Sequence, residues 1–433
     1  MGVFEKYIDA VKRDEFFRST GRVRKLTGVL IESEGPSVSI GDICEVYLSE
    51  ENRIRAEVVG FDGNRVFMVP FVNVVGIPNG AKVVNIGRKM DIPVGEEMKG
   101  RVLNAYGEVL IGGSFKIDHY YYIDNDPPNS LERQRIRESI QTGVRVIDGL
   151  LTVGKGQRMG IFSGSGVGKS TLLSMIARNT SADITVLALV GERGREVREF
   201  LERDLGEEGL KKSVVVVATS DEPPMARLRA AYTATTIAEF FRDRGYNVMF
   251  LLDSLTRLAF AQREISLSMG EPPTTRGYTP SVFTQLPRLL ERTGPGKEGT
   301  ITAFYTVLVE GDDVNEPISD HVRATLDGHI VLSRDIAARG IYPAVDILLS
   351  ISRLMPEIVD KKHLDAAYKF RELMATYKEN QDLINIGAYV PGANPKIDLA
   401  IKYIDRMWNY IKQNMYDKAS FEEAVNQLLS LFS

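Results

Sequence analysis

The chain has 433 residues, enough for two or three domains with their own cores, and its 43% hydrophobic and 26% charged content is ordinary for a globular protein. A net charge of −4 argues against a dedicated nucleic-acid binder, the single Cys44 excludes internal disulfides and cysteine metal clusters, and four scattered histidines offer no metal-ligand spacing. No apolar run approaches the ~20 residues that cross a bilayer, and the first residues lack a signal-peptide core, so a cytoplasmic chain is expected.

Residues 3 to 17 place Phe4, Tyr7, Ile8 and Val11 at i, i+3, i+4 and i+7, the stripe of an amphipathic helix. Seven Lys/Arg against four Asp/Glu in residues 1 to 30 give this end +3. Such a helix serves either as an interaction arm or as a face packed on its own domain. From Arg22 to Ile86 the pattern becomes short strands rich in β-branched residues: Val23 to Glu32, Glu45 to Leu48, Ile54 to Gly60, Arg65 to Phe71 and Lys82 to Ile86. Turn signals at Glu34-Gly-Pro36, Asp62-Gly-Asn64 and Pro78-Asn-Gly80 separate them, which predicts a small all-β barrel. Asp91 to Gly95 reads as a linker.

From Lys99 to Leu354 strand-like runs alternate with helical ones. The clearest strands are Arg158–Phe162, Ile184–Val190, Val214–Thr219, Asn247–Asp253, Thr300–Leu308 and Gly328–Leu332. This alternation predicts an α/β fold, a mainly parallel sheet with helices on both faces and ligands at the carboxyl ends of the strands. Beyond Pro356 helices are predicted at Val359–Tyr377, Asp398–Gln413 and Phe421–Phe432, with a break at Pro391-Gly392.

The run Ser163-Gly-Ser-Gly-Val-Gly-Lys-Ser-Thr171 lies between a strand-like and a helix-like segment, the context of a phosphate-binding loop. Gly164, Ser165, Gly166, Val167 and Gly168 would turn the backbone so that several N–H groups face one phosphate chain. The helix that follows offers its positive end to the same anion. Lys169 would reach the β- and γ-phosphates, and the Ser170 hydroxyl, next to Thr171, would ligate Mg²⁺. Ser163 stands where the usual string begins with Gly, and a small residue at a strand end is tolerable there. Asp253 closes the apolar run from Asn247 and so delivers a carboxylate at the end of a buried strand. That suits a second Mg²⁺ partner, usually through water. Glu192 closes the run from Leu187 and fits the carboxylate that orients and partly deprotonates an attacking water. A solvated Glu in the polar run to Glu199 is the alternative.

After the loop come Gly191-Glu-Arg-Gly-Arg195, Asp253-Ser-Leu-Thr-Arg257, Gly340-Ile-Tyr-Pro-Ala-Val345 and Ser350-Ile-Ser-Arg353, in that order. In this set the chain resembles the catalytic subunits of the rotary ATP synthase family over nearly its whole length. Ala218-Thr-Ser-Asp-Glu-Pro-Pro224, Ala259-Phe-Ala-Gln-Arg-Glu264, the run from Arg276 to Arg292, and Glu310 to Pro317 leading to Leu326-Asp-Gly-His-Ile-Val-Leu-Ser333 resemble the bacterial type III protein-export ATPases. The flagellar branch is nearer than the injectisome branch.

The resemblance implies a partner-binding helix over residues 1–20, a β-barrel over 21–92, a RecA-like phosphate-loop nucleotide domain over 93–356 and a C-terminal helical domain over 357–433. It implies hydrolysis of ATP with Mg²⁺ that energises or primes protein export. Glu192 would activate water, with Arg193 and Arg257 near the γ-phosphate. Arg353 would be a finger reaching a neighbouring subunit's site, and Tyr342 would stack on adenine. From the residues alone, a structural ion pair is the alternative for Arg353, and packing beside Pro343 is the alternative for Tyr342. A second adenine contact is implied near Tyr389 to Pro391, where the match is poor. The implied assembly is a homohexamer at the inner-membrane export apparatus. Its partners would be a stator or regulator protein at the leading helix, export-gate membrane proteins, export substrates and chaperones. The loop Gly270 to Gly277 would face a central channel, or is a plain surface loop.

Other readings share parts of this pattern. An injectisome ATPase shares most of the strings. The export-type strings count against a rotary synthase subunit. A ring-shaped nucleic-acid translocase would need stacking and basic residues on the β-domain. Residues 22 to 86 hold only Tyr47, Phe61, Phe67 and Phe71 as aromatics, with no basic run beside them. A scaffold without activity is disfavoured by Lys169, Glu192, Asp253 and Arg353 on one chain.

Overall fold

The computed structural model describes residues 19–73, 75–309 and 316–432, so the leading helix predicted over residues 3 to 17 lies outside the described residues. Strands β1 (Thr20–Thr27), β2 (Leu30–Glu34), β3 (Asp42–Tyr47), β4 (Arg53–Asp62), β5 (Arg65–Pro70) and β6 (Lys82–Lys89) close into a barrel. Their order is β1-β2-β5-β4-β3-β6. Period-two alternation builds it: Val23, Ile31, Val46, Val58, Met68 and Val83 meet inside, while Arg22 and Arg24 are exposed. The single strand predicted over Val23 to Glu32 is two, because Gly28 takes φ +57° and turns the chain so that Thr27 pairs with Leu30. The predicted linker at Asp91 is also a strand. In β7 (Asp91–Val94), Ile92 and Val94 alternate into the core and are fully buried, and the strand pairs with β10 (His119–Tyr122). Pro93 is tolerated because a two-stranded ribbon is all edge.

The main sheet contains β8 (Val102–Asn104), β9 (Val109–Ile111), β13 (Arg158–Ser163), β14 (Ile184–Glu192), β15 (Ser213–Thr219), β16 (Asn247–Asp253), β18 (Thr300–Leu308), β19 (Gly328–Leu332) and β20 (Val345–Ser352). Their order is β20-β19-β13-β18-β16-β14-β15-β8-β9, with the short β17 (Gly294–Pro295) on β18. The ladders from β19 to β8 are parallel, and β20 and β9 join antiparallel at the two edges. A separate short pair joins β11 (Ser139–Ile140) to β12 (Val153–Gly154).

Both sheet faces are covered, which is why the central strands read as unbroken apolar runs. In β14, Val186, Ala188 and Val190 enter the core beneath α2 (Pro224–Arg242) and α3 (Leu255–Ser268). Leu187 and Leu189 enter the opposite core, shared with α1 (Lys169–Asn179) and with the helical unit α4 (Lys361–Asn385), α5 (Pro395–Ile411) and α6 (Phe421–Ser430). Phe370 of α4 and Met407 of α5 are fully buried there. Arg229 of α2 ties the barrel on, donating at 2.8 Å both to Glu57 of β4 and to Asp124. Among the described residues no helix is long and apolar enough to cross a membrane.

Candidate active site

β13 ends at Ser163, which is 2% exposed and flanked in the sheet by Leu308 and Leu332. The chain then turns through residues 164–168 into α1. Gly168 opens the helix at φ +90°, a conformation that glycine alone adopts freely. A Cβ at this position would lie 3.3 Å from the Tyr342 ring, so that ring rests against the loop of its own chain. Ser170 is exposed in the first turn of α1, and Thr171 is half-buried.

Two neighbouring strands deliver carboxylates to the same end of the sheet. β14 is buried throughout and ends at Glu192. Gly191 before it has φ +71°, and a Cβ there would come within 2.9 Å of Arg257. The turn shifts the ladder with β15 by one residue between Val190 and Glu192, which aims the carboxylate out of the sheet. β16 ends at Asp253, and Ser254 then caps α3 by accepting the Arg257 amide at 3.4 Å.

The four charged side chains converge. Lys169 Nζ lies 2.5 Å from Asp253 Oδ1 and 3.5 Å from Glu192 Oε1. Arg257 lies 3.2 Å from Glu192 Oε2. Burial, and then the charge of Asp253, push the Glu192 carboxyl up from 4.5 to about 7, against the pull of Lys169 and Arg257. A carboxyl that titrates near neutrality is matched to taking a proton from water. Thr306 of β18, fully buried, donates to Asp253 Oδ1 at 2.8 Å and completes the site. Sequence reading missed it, though a polar residue inside an apolar buried strand is a usable signal.

Models of the ATP synthase alpha/beta family match this chain in two places, the beta-barrel domain at residues 23–87 and the nucleotide-binding domain at residues 143–352. The T3SS EscN ATPase C-terminal domain matches residues 359–430. The flagellum-specific ATP synthase of Bacillus subtilis is 55% identical over 430 residues, which is 99% of this chain and 98% of that protein. The chain belongs to the ATP synthase alpha/beta family, in its type III export branch. The type 3 secretion system ATPase of Xanthomonas euvesicatoria is 47% identical over 96% of this chain and 94% of that one. The assembled ATPase EscN of the enteropathogenic E. coli type III secretion system superposes with a TM-score of 0.91 at 46% identity, covering 95% of this chain and all of that one. EscN in complex with its central stalk EscO gives a TM-score of 0.89.

Of the remaining residues singled out in this export-branch ATPase, two lie outside the cluster. The Arg193 side chain is 79% exposed and pairs with Glu196 at 3.4 Å, one helical turn on. Arg353 is farther away. Its amide donates to the Asp327 carbonyl at 3.1 Å, and the Asp327 amide donates to the Arg158 carbonyl at 2.9 Å. Arg353 is therefore level with Arg158 at the start of β13. Gly164 lies six residues farther along that strand (164 − 158), roughly 20 Å at about 3.3 Å per residue. Arg353 cannot reach its own phosphate loop.

The second adenine contact sought near Tyr389 to Pro391 is also misplaced. The Tyr389 hydroxyl bonds Asn394 and Asp398 at the start of α5. The Tyr342 carbonyl accepts the amide of Gln413, past the other end of α5, at 2.8 Å. The helix has 17 residues and so separates the two places by roughly 25 Å.

Proposed function

We propose that this chain is the ATP-hydrolysing subunit of a bacterial type III export apparatus, that of the flagellum. The observation that carries the reading is the convergence of Lys169, Glu192, Asp253 and Arg257 at the carboxyl end of one sheet, beside a phosphate loop. The flagellum-specific relative supports the flagellar system. Residues 21–92 then serve as the barrel, 93–356 as the ATPase domain and 357–433 as the helical domain.

The triphosphate of ATP lies along residues 164–168, where backbone N–H groups and the N-terminus of α1 hold its oxygens. Tyr342 stacks on the adenine. Lys169 exchanges its carboxylate partners for the β- and γ-phosphate oxygens. Ser170 and Asp253 form a hard oxygen donor set that fits Mg²⁺, which when bound neutralises charge on those phosphates. Glu192 holds a water in line with the γ-phosphate and takes its proton as the O–P bond forms and ADP leaves. Arg257 keeps Glu192 oriented, and Thr306 does the same for Asp253. Arg353 completes the site of the next subunit in a homohexameric ring, where a planar, permanently charged guanidinium spans two phosphate oxygens. A finger supplied in trans is typically worth ~10³–10⁵ in rate.

In this reading the ring works in the cytoplasm at the inner-membrane export gate. Residues 1–20 dock a stator or regulator, and export substrates and chaperones are the clients. Deletion of the gene in its host is the test. The expected strain makes no filament, does not swim and is restored by the wild-type chain but not by Lys169→Ala. Normal filaments in the deletion strain, with secretion of other proteins lost, would move the assignment to an injectisome. A purified chain without Mg²⁺-dependent ATP hydrolysis would refute the enzyme itself.

A further inference from the structure

Arg353 directly follows β20, and β20 is irregular. Between the pairs His329–Ile351 and Val331–Asp346, β19 advances two residues while β20 advances five. The extra residues form a bulge held by its own polar groups. Asp346 Oδ1 accepts the amides of Leu348 and Leu349 at 2.9 and 3.1 Å. Ser350 Oγ donates to the Asp346 carbonyl at 2.5 Å and accepts the Val331 amide at 2.9 Å.

Two cations of the helical unit reach this bulge from α4. Arg371 donates to the Ser350 carbonyl at 2.8 Å, and Lys378 Nζ donates to Asp346 Oδ2 at 3.3 Å. The Lys378 side chain is 59% exposed, so Arg371, half-buried, is the stronger tie. A cavity of about 310 Å³ lies beside these contacts, bordered by Leu348, Leu349, Met374 and Tyr377 and extending to Ser163 and Gly164. Close-packed elements resist small displacements, whereas a bulge beside a cavity has room to move. On its other side Ser352, one residue before Arg353, donates to the Thr152 carbonyl at 2.7 Å. Near Arg353 the strand is thus tied to the helical unit at Ser350 and to the nucleotide domain at Ser352, while Lys378 holds the start of the strand at Asp346.

We propose that α4 sets the position of Arg353 through Arg371 and Lys378, so that displacement of the helical unit moves the arginine presented to the neighbouring subunit. Arg371 and Lys378 are positioning residues, since neither touches a reacting atom. The proposal rests on the reading that Arg353 acts in trans.

Arg371→Ala is the probe. In assembled rings it should lower kcat about 10- to 100-fold, as misplacement of a catalytic group by about 1 Å does. The KM for ATP should stay within about twofold, and Arg371→Lys, which keeps a donor, should restore most of the rate. Mixed rings separate positioning from damage to the fold. A chain with Arg371→Ala keeps its own Glu192, and a chain with Glu192→Gln keeps a well-placed Arg353. Co-assembly should therefore give more activity than either pure ring. Arg353→Ala mixed with Glu192→Gln, run in parallel, tests the trans reading itself. Rescue in both mixtures is the expected result. Rescue with Arg353→Ala but not with Arg371→Ala, or full activity of Arg371→Ala alone, would overturn the positioning role and leave the trans reading standing. No rescue with Arg353→Ala would overturn the trans reading and the positioning role with it.

Discussion

Glu192→Gln should abolish turnover and at the same time stabilise the chain at alkaline pH. The substitution removes the carboxylate proposed to take the proton from water. It also removes a charge that the fold holds at a cost, because the side chain is only 9% exposed and its pKa stands at about 7 instead of 4.5. That rise is already net of the attraction of Lys169 and Arg257. At about 1.4 kcal/mol per pKa unit it corresponds to about 3 kcal/mol, in a site of two cations and two carboxylates. The carboxyl binds its proton more tightly folded than unfolded. The penalty is therefore full above about pH 7, shrinks as the pH falls and is gone below about 4.5. Gln mimics the protonated form at every pH. Without nucleotide, the variant should melt several degrees above wild type at about pH 8.5, and the two should converge near pH 5. Phosphate release at saturating ATP should vanish, and binding of a fluorescent ATP analogue should persist. A variant that melts at or below wild type at pH 8.5 would refute the buried-charge argument. Retained hydrolysis would remove Glu192 from its role.

Substitutions at three further positions test other parts of the proposed site. Thr306→Val deletes the 2.8 Å hydrogen bond to buried Asp253. Loss of such a bond to a charged group costs about 1.5–3 kcal/mol, so a Mg²⁺ titration of hydrolysis should shift about 10- to 100-fold. An unshifted titration would contradict the role given to Thr306. Tyr342→Ala should raise the KM for ATP about 2- to 10-fold at unchanged kcat, the worth of one aromatic stack, and Tyr342→Phe should not. Arg193→Ala should keep turnover within about twofold, because its exposed pair with Glu196 contributes little. A loss of about tenfold would show that Arg193 swings into the site when the ring works.

The phosphate loop is legible in the sequence because its turn demands glycine between a strand and a helix. Asp253 and Glu192 are legible because buried parallel strands are continuous apolar runs, and an acid that ends one must lie at the sheet's carboxyl end. Thr306 is not legible in this way: its partner is 53 residues away and meets it only through the pairing of β18 with β16. Arg193 adjoins Glu192 in sequence, yet the turn at Gly191 sends one side chain into the cluster and the other into solvent. The helical unit was recognisable as helical, but helical periodicity does not say which end of α5 faces Tyr342. In the barrel the turn at Gly28 is not legible, because one residue of positive φ makes two strands out of a single β-branched run.

Arg353 and the phosphate loop sit at opposite ends of one sheet, and this has a kinetic consequence. In the proposed ring a single chain carries Lys169, Glu192 and Asp253 of one site and the arginine of another. If a trans arginine is worth ~10³–10⁵, an isolated chain turns over at about a thousandth of the assembled rate or less. Hydrolysis per chain should therefore rise steeply with protein concentration at fixed ATP, then level off as rings complete. Light scattering on the same samples supplies the assembled fraction, and the two curves should superimpose. Arg353→Ala should assemble along the same scattering curve while its hydrolysis stays at the floor. Specific activity that is flat across dilutions where scattering reports only monomers would refute a site shared between subunits, and would leave the separation of roughly 20 Å between Arg353 and its own loop without a catalytic meaning.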